Sequence, residues 1–522
     1  MSTIRCGCPK SDSTAATVWY VTTPPPGDLR RVPLPVRPGS TITRVTDSTE
    51  APAPARQLRR TLSHRHIHFI ALGSAIGTGL FYGSSGAIGA AGPGVVFVYL
   101  LGGAVVYFML RALGEMAVAD PAPGSFAEYC RRYLGGWAGY ITGWMYAFEM
   151  IIVCLADLTA ITVYMTFWFP ETPGWVWVAV ALLVVGAANL ASARWYGELE
   201  FWFTSIKVTA VVAMILGGAA ILLFNVDTGG SAGFHNLWGD GGLFPNGIEG
   251  VFSALILVLF AFGGTEIIGV TAGEATDHER TIPKAVNTVP MRILLFYVLA
   301  ILVIVSVIPW REITGEESPF VQIFSNLGIG WAAAALNVVV VSAALSAINS
   351  DLYGAGRVVF GMARQGLAPK LFARLNHRGV PVTTVGVMLV VLLVGVGLQL
   401  TSDTAADLFQ NIAALATFAT VFVWLMILLA HLASRYSHRV DPSTLSFTVP
   451  FWPLGQLFSV AVILVTFGTM VWMEEYHSAL WAGVIFLVAM SVLYPLTRHR
   501  TQQERTSTTG TTADTSSNQG VK

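Results

Sequence analysis

Residues 71–81 read ALGSAIGTGLF, and residues 260–269 read FAFGGTEIIG. Both lie inside long apolar runs, and both carry glycine where a membrane helix would carry leucine. Glycine costs about 1 kcal/mol relative to alanine in a helix interior. In hydrocarbon an unpaired backbone N–H or C=O costs several kcal/mol, so irregular backbone survives only where it lines a cavity. The first stretch alone leaves two readings open. One is an unwound segment near the membrane midplane, with the half-helix from about Gly79 pointing its dipole at an anion. The other is close helix packing, since Gly73 with Gly77 and Gly79 with Gly83 satisfy small-xxx-small. The second stretch, with Glu266 at membrane depth, favours unwinding.

The surrounding composition fixes the setting. The chain has 522 residues, 54% hydrophobic and only 11% charged, with a mean hydropathy of +0.63. Soluble globular proteins carry roughly 25% charged residues, so this is a membrane protein. A crossing needs about 20 apolar residues. Twelve candidates follow: 67–90, 93–118, 137–168, 174–192, 198–224, 247–272, 288–309, 332–362, 382–400, 406–430, 451–473 and 479–496. The two glycine-broken stretches therefore fall in spans one and six. That is the pattern of a five-plus-five inverted repeat, with substrate bound between the breaks. The expected fold is an all-α integral membrane protein with repeats over 67–224 and 247–430 and two added helices.

Alternate loops sort by charge. Arg56, Arg59, Arg60 and Arg65 precede span one; Arg131 and Arg132, Arg194, Arg280 and Lys284, Lys370 and Arg374, and Arg435 and Arg439 occupy every second loop. The opposite loops hold Glu171, Asp227, Asp240, Glu316, Glu317, Asp403, Glu474 and Glu475, with Arg311 as the basic exception. Positive residues collect on the cytoplasmic side, which places both termini there; twelve spans with only tails outside the bilayer and no organelle signal lead to the expectation of a plasma membrane protein. Residues 1–60 are polar and proline-rich and are expected as a disordered tail, as is 499–522, flanking a transporter domain over 61–498. No apolar core after a basic start marks a signal peptide. Cys6, Cys8, Cys130 and Cys154 read as free thiols, with no disulfide and no metal site.

The runs ALGSAIGTGLFYGS, AGPGVVFVYLLGGAVVYFMLRALGEM, GELEFWFTSIKV, FGGTEIIGVTAGEA and IPKAVNTVPMRILLFY resemble the amino acid transporter family of the amino acid–polyamine–organocation superfamily. Residues 342–381 extend the likeness to about four hundred residues. FEMIIVCLADLTA in span three and LATFATVFVW in span ten are similar to the proline-specific members, which implies proline as substrate. Members for GABA, aromatic amino acids, threonine and histidine share most of the same motifs. The resemblance implies a LeuT-like fold and proton-coupled import, with a free amino acid, a proton and the bilayer as partners.

An α-amino acid offers a carboxylate and an ammonium. The amides of Ser74, Ala75, Ile76, Gly77, Thr78 and Gly79 are candidate donors to the first, with the Ser74 and Thr78 hydroxyls. The carbonyls of Phe260, Ala261, Phe262 and Gly263 are candidate acceptors for the second, with Glu266 nearby; the family's usual division matches these positions. Phe260 or Phe262 can gate the site or simply supply packing bulk. Lys207, in FWFTSIKVTAVVAMI, sits about nine residues into span five, where an ammonium at mid-membrane costs at least ~2.5 kcal/mol. It is either a snorkelling lysine or, as the resemblance implies, a proton-coupling group in the volume that sodium fills in sodium-coupled relatives. Glu149 and Asp157 lie within about 80° of each other around span three, free to line the pocket, pair with Lys207 or bond to neighbouring helices. Arg111 and Glu115, spaced i,i+4, are expected to pair or form an inner gate contact. Asn349, Ser350 and Asp351 can hydrogen-bond across helices near the ion path.

Other classes are unsupported. The spans hold no HExxH, GxSxG or paired His–Asp, and GTGLFYG lacks the strand–helix context of a dinucleotide site. No Walker motif or large cytosolic domain suggests ATP, no cofactor is indicated, and balanced charge (30 basic, 30 acidic) gives no nucleic-acid partner. An exchanger and a non-transporting receptor remain the alternatives to a symporter.

Overall fold

In the computed structural model the described residues are 69, 73 and 76–514, apart from 123–124, 192, 225–231, 273–277, 328, 377–378, 400–404 and 438–444. They belong to a unit spanning 56–522. The expected N-terminal tail lies outside them, as do Ser74 and Ala75.

Regular structure among the described residues is helical. In chain order the helices are α1 (Thr78–Phe81), α2 (Gly83–Ala91), α3 (Val95–Ala119), α4 (Ser125–Tyr133), α5 (Gly136–Thr166), α6 (Gly174–Ala191) and α7 (Ala193–Phe224). Then come α8 (Gly247–Ala261), α9 (Ile267–Ala272), α10 (His278–Asn287), α11 (Val289–Arg292), α12 (Ala300–Val307) and α13 (Pro319–Asn326). The last are α14 (Gly330–Arg364), α15 (Val382–Gln399), α16 (Ala405–Tyr436), α17 (Leu454–Trp472) and α18 (His477–Asp514). A π-helical turn, Ile293–Leu299, joins α11 to α12.

Local sequence explains the joints. The Gly92–Gly94 stretch, with Pro93 lacking an N–H, tightens into a 3₁₀ turn between α2 and α3. Eight helices are long and apolar enough to cross a membrane among the described residues, and Gly174–Leu190, Gly247–Ala261 and Val382–Gly395 are shorter apolar helices. Leu183, Leu223 and Val394 are each more than 70% exposed, and apolar surface on that scale needs a lipid solvent. The chain is thus a multi-pass membrane protein. Helix α18 continues to Asp514. Its sequence from Leu496 to Thr509 contains no glycine or proline to stop it.

The core is organised around α5, which packs most extensively against α16 and α14. The amide-rich start of α1 and the end of α8 meet the same centre, because α2 lies along α8 and α1 touches α5, α8 and α14. The interruptions in spans one and six are thereby brought to one place.

Candidate functional site at the two helix breaks

Span one unwinds where the glycines fall. Ile76 and Gly77 form a bend, Gly77 is extended (φ −117°, ψ −165°), and helix resumes at Thr78. The carbonyls freed on the near side are taken by Lys207 of α7. Its Nζ donates to Gly73 O at 2.8 Å, Ile76 O at 3.0 Å and Ser346 Oγ at 3.0 Å. An ammonium has three donors, and these bonds use all three. The side chain is fully buried, so the snorkelling alternative does not hold.

Behind the lysine stands Glu200, one helical face below it on α7 and equally buried, with Oε1 3.9 Å from Nζ. The Ser346 hydroxyl lies 2.7 and 2.8 Å from the two Glu200 oxygens. It therefore accepts from Lys207 and donates to Glu200. Lys207, Ser346 and Glu200 make a hydrogen-bonded relay that ties span one to α7 and α14.

Span six breaks over Phe262–Glu266. Gly264 sits at φ +84°, a left-handed conformation that costs glycine nothing and other residues about 1–2 kcal/mol. Among the described residues no backbone N–H closes on the Phe262 or Gly263 carbonyl. The Phe260 carbonyl accepts the Gly263 N–H at 2.9 Å, and the Ala261 carbonyl accepts the Tyr297 hydroxyl at 3.2 Å. Of the four expected acceptors, these two are already engaged. Glu266 is buried and accepts the Trp424 indole N–H at 3.1 Å through Oε2, while its Oε1 has no hydrogen-bond partner.

The two breaks touch. A Cβ built on Gly79 would stand 2.5 Å from the Ala261 Cα, closer than any real Cβ contact, so only glycine allows this approach. Phe260 and Phe262 diverge. Phe260 meets Phe409 edge-on at 5.7 Å, and Phe409 meets Tyr82 at 4.8 Å, an aromatic barrier over the breaks. Phe262 turns the other way, against Tyr297 at 4.4 Å and Tyr99 at 6.1 Å, which is packing rather than gating.

The span-three acids are both fully buried but neither pairs with Lys207. Asp157 accepts the Thr78 hydroxyl, and Glu149 accepts the Thr420 hydroxyl at 2.6 Å. Each keeps one oxygen, Asp157 Oδ2 and Glu149 Oε2, without a hydrogen-bond partner. Asn349 accepts from Asn189 of α6 at 2.8 Å, Ser350 meets Tyr196 at 3.2 Å, and Asp351 meets the Cys154 thiol at 3.8 Å. All three reach across helices.

Arg111 and Glu115 do not bond to each other. Glu115 accepts the fork of Arg435 at 2.6 and 2.8 Å and the Val449 amide at 2.7 Å, and His431 Nε2 lies 3.1 Å from its Oε1. Arg111 donates to Asn287 Oδ1 at 2.6 Å and to the Thr448 carbonyl, with its guanidinium over the Phe447 ring. Bidentate pairing with an arginine outcompetes a one-turn helix neighbour, and the partner came from 320 residues away.

Around the breaks Ile76, Thr78, Gly79, Phe260, Ala261 and Glu266 are buried, while Gly77, Gly263 and Gly264 are half-buried. A cavity of about 430 Å³ lies beyond the Tyr82–Phe409–Phe260 barrier, lined by α2, α8, Phe409 and Gln410 of α16, residues 313–315, and Met473, Glu475 and Tyr476. Glu200, Ser346 and Thr420, which contact Lys207 and Glu149, were not among the residues expected from the sequence. Glu200 carried a readable signal: seven residues before Lys207 is roughly 20° from eclipsed on a helix, two turns away.

Comparison with known proteins follows the same lines. The family profile described as "Amino acid permease" matches residues 66–496. An uncharacterised amino acid permease, YtnA of Bacillus subtilis (strain 168), is 42% identical over 442 residues, covering 84% of this chain and 95% of the relative. The aromatic amino acid transport protein AroP of Escherichia coli O6:H1 is 44% identical over 417 residues, covering 79% of this chain and 91% of its own. AroP of E. coli K12 is 43% identical over the same length, with the same coverage.

Proposed function

The chain belongs to the amino acid permease family, and within it we propose a proton-coupled importer of neutral amino acids working by alternating access. It is a transporter, not an enzyme. The proposed topology is twelve crossings in the plasma membrane, built on two inverted five-helix repeats, with both termini cytoplasmic. The acidic loops then face outward, and so does the cavity above the aromatic barrier.

One observation carries the coupling: Lys207 spends all three N–H donors on the span-one break and Ser346. A neutral amine has only two donors. Losing a proton therefore costs it one donated contact, or turns the Ser346 hydroxyl away from Glu200 toward the amine, and weakens its attraction to Glu200. Either loss loosens span one from α14, and a hinge at Ile76–Gly77 is where such a change moves backbone. Protonation from outside locks the break; release to the cytoplasm frees it. Substrate supplies the second condition. Its carboxylate meets the amides of Gly77, Thr78 and Gly79 at the start of α1, with those of Ser74 and Ala75 completing the reading. Its ammonium meets the open carbonyls of Phe262 and Gly263, and the spare oxygens of Glu149 and Asp157 offer further acceptors nearby. Phe260 closes the outer side with Phe409 and Tyr82.

For the substrate itself the AroP relatives favour an aromatic amino acid. Proline is the second reading, favoured by the runs FEMIIVCLADLTA and LATFATVFVW. Uptake of labelled phenylalanine and labelled proline into proteoliposomes, each challenged by the twenty unlabelled amino acids, tests both. An aromatic permease takes up phenylalanine and is blocked by tyrosine and tryptophan but not by proline. Saturable proline uptake that aromatic amino acids leave intact reverses the order. Flux that requires preloaded internal amino acid points to exchange, and binding without flux to a receptor.

A further inference from the structure

The polar groups that begin at the span-one break do not end at Glu200. On α7, Lys207, Glu200 and Tyr196 fall within about 40° of one another around the helix, and on α14, Ser346, Ser350, Tyr353 and Arg357 fall within about 60°. The two stripes face each other. Lys207 donates to Ser346 and Ser346 to Glu200; Ser350 also bonds Glu200, and the Tyr196 hydroxyl donates to Ser350 at 3.2 Å. All seven side chains are buried. The seam covers ~16 Å of α7. It ends where the Tyr196 and Tyr353 rings stack at 3.9 Å, with the Arg357 guanidinium 3.4 Å over the other face of Tyr353. The other charges acting along it are Asp157 and Asp351 on Lys207 and Arg357 on Tyr196. Single hydroxyl pairs are ordinary glue between membrane helices. Here the pairs join end to end, from an ammonium toward the end of α7 that holds Arg194.

We propose that this seam is the proton exit, which carries the Lys207 proton to the cytoplasm through Glu200, Ser350 and Tyr196. A Lys207 N–H bond breaks as the Ser346 oxygen takes that proton, and the Ser346 hydroxyl proton passes to Glu200. A neutral amine and a neutral acid remain. The Ser350 and Tyr196 hydroxyls, which point toward Glu200, then turn round, since a hydroxyl can donate or accept. The Glu200 proton moves to the Ser350 oxygen, the Ser350 proton to the Tyr196 oxygen and the Tyr196 proton to a cytoplasmic water. Glu200 is left as the carboxylate again. The stacked rings close the route until Tyr196 and Tyr353 part. The inference rests on the proton-coupled reading and the orientation given above.

The test separates net uptake from exchange in proteoliposomes, using the labelled amino acid that wild-type protein accumulates. Net uptake driven by an alkaline interior needs proton release on every cycle. Exchange of labelled for unlabelled substrate, at equal pH on both sides, lets the carrier return loaded and still protonated. Ser350→Ala and Tyr196→Phe, the second keeping the ring stack, are each expected to slow net uptake about tenfold or more while exchange stays near the wild-type rate. Exchange also reports that each variant is folded. Ser342→Ala removes a hydroxyl that bonds only within α14, to the Val339 carbonyl, and leaves both rates unchanged. Net uptake kept in both seam variants overturns the exit route. So does an equal fall in net uptake and exchange, which marks a structural seam. Wild-type protein that fails to concentrate substrate on the pH gradient overturns the proton-coupled reading instead, and is seen before any variant is compared.

Discussion

Lys207 is the residue on which most hangs, and its neighbours make its role separable from mere stability. Removing one partner of a buried ion pair costs about 3–5 kcal/mol, because the other charge is left uncompensated. Lys207→Met alone is therefore expected to lower the melting temperature in detergent as well as abolish accumulation. The double variant Lys207→Met/Glu200→Gln restores much of the thermal stability, yet still fails to accumulate substrate. A melting temperature unaffected by Lys207→Met would contradict the buried pair. Gly79 makes a second residue-level case. Its Cβ would meet Ala261 Cα at 2.5 Å, which backbone must yield to; overpacking of this kind costs about 1–3 kcal/mol. Gly79→Ala should cut transport at least tenfold, whereas Gly89→Ala, with nothing within 4 Å of its new Cβ, should leave rate and expression unchanged. Phe260 and Phe262 split likewise. Phe260→Ala opens the barrier and speeds substrate release, while Phe262→Ala chiefly destabilises, as packed phenylalanines do by about 3–5 kcal/mol.

Among the elements, what the sequence made legible was whatever depends on local pattern. Glycines at 77 and at 263 and 264 break helices in apolar surroundings, and the two stretches read together point to it without tertiary information. Lys207 stood out because an ammonium at membrane depth has to be accounted for. The partners were not legible. Glu115 was expected to pair with Arg111 one turn away but is held by Arg435, and nothing local distinguishes the two arginines. Thr78 and Thr420 look like ordinary helix threonines until α5 brings Asp157 and Glu149 against them. Phe260 and Phe262 are two residues apart, about 200° around the end of α8, and only the packing decides which of them meets Phe409 and which meets Tyr297. The cavity was invisible for the same reason: its wall is drawn from α2, α8, α16 and two loops far apart in the chain. The Glu115–Arg435 contact also makes a prediction for an element, since it fastens α3 to α16 and to the segment ahead of α17. Glu115→Gln forfeits the charge-assisted fork and should lower the melting temperature markedly. An unchanged unfolding transition would mean that this strut is not what holds the buried end together.

For the whole molecule, topology and energy source are the outstanding matters, and each has a direct readout. With native cysteines replaced, a membrane-impermeant maleimide added to intact cells should label Glu474→Cys but not Lys370→Cys; the reverse pattern inverts the orientation. The coupling claim is decided by accumulation against a gradient. Purified protein in proteoliposomes, inside alkaline, is given the labelled amino acid with and without a protonophore. Wild-type protein should concentrate substrate above the external level and lose it when the protonophore is added, while Lys207→Met/Glu200→Gln only equilibrates. Concentration that survives the protonophore, or that the double variant matches, would contradict a proton relay at the span-one break.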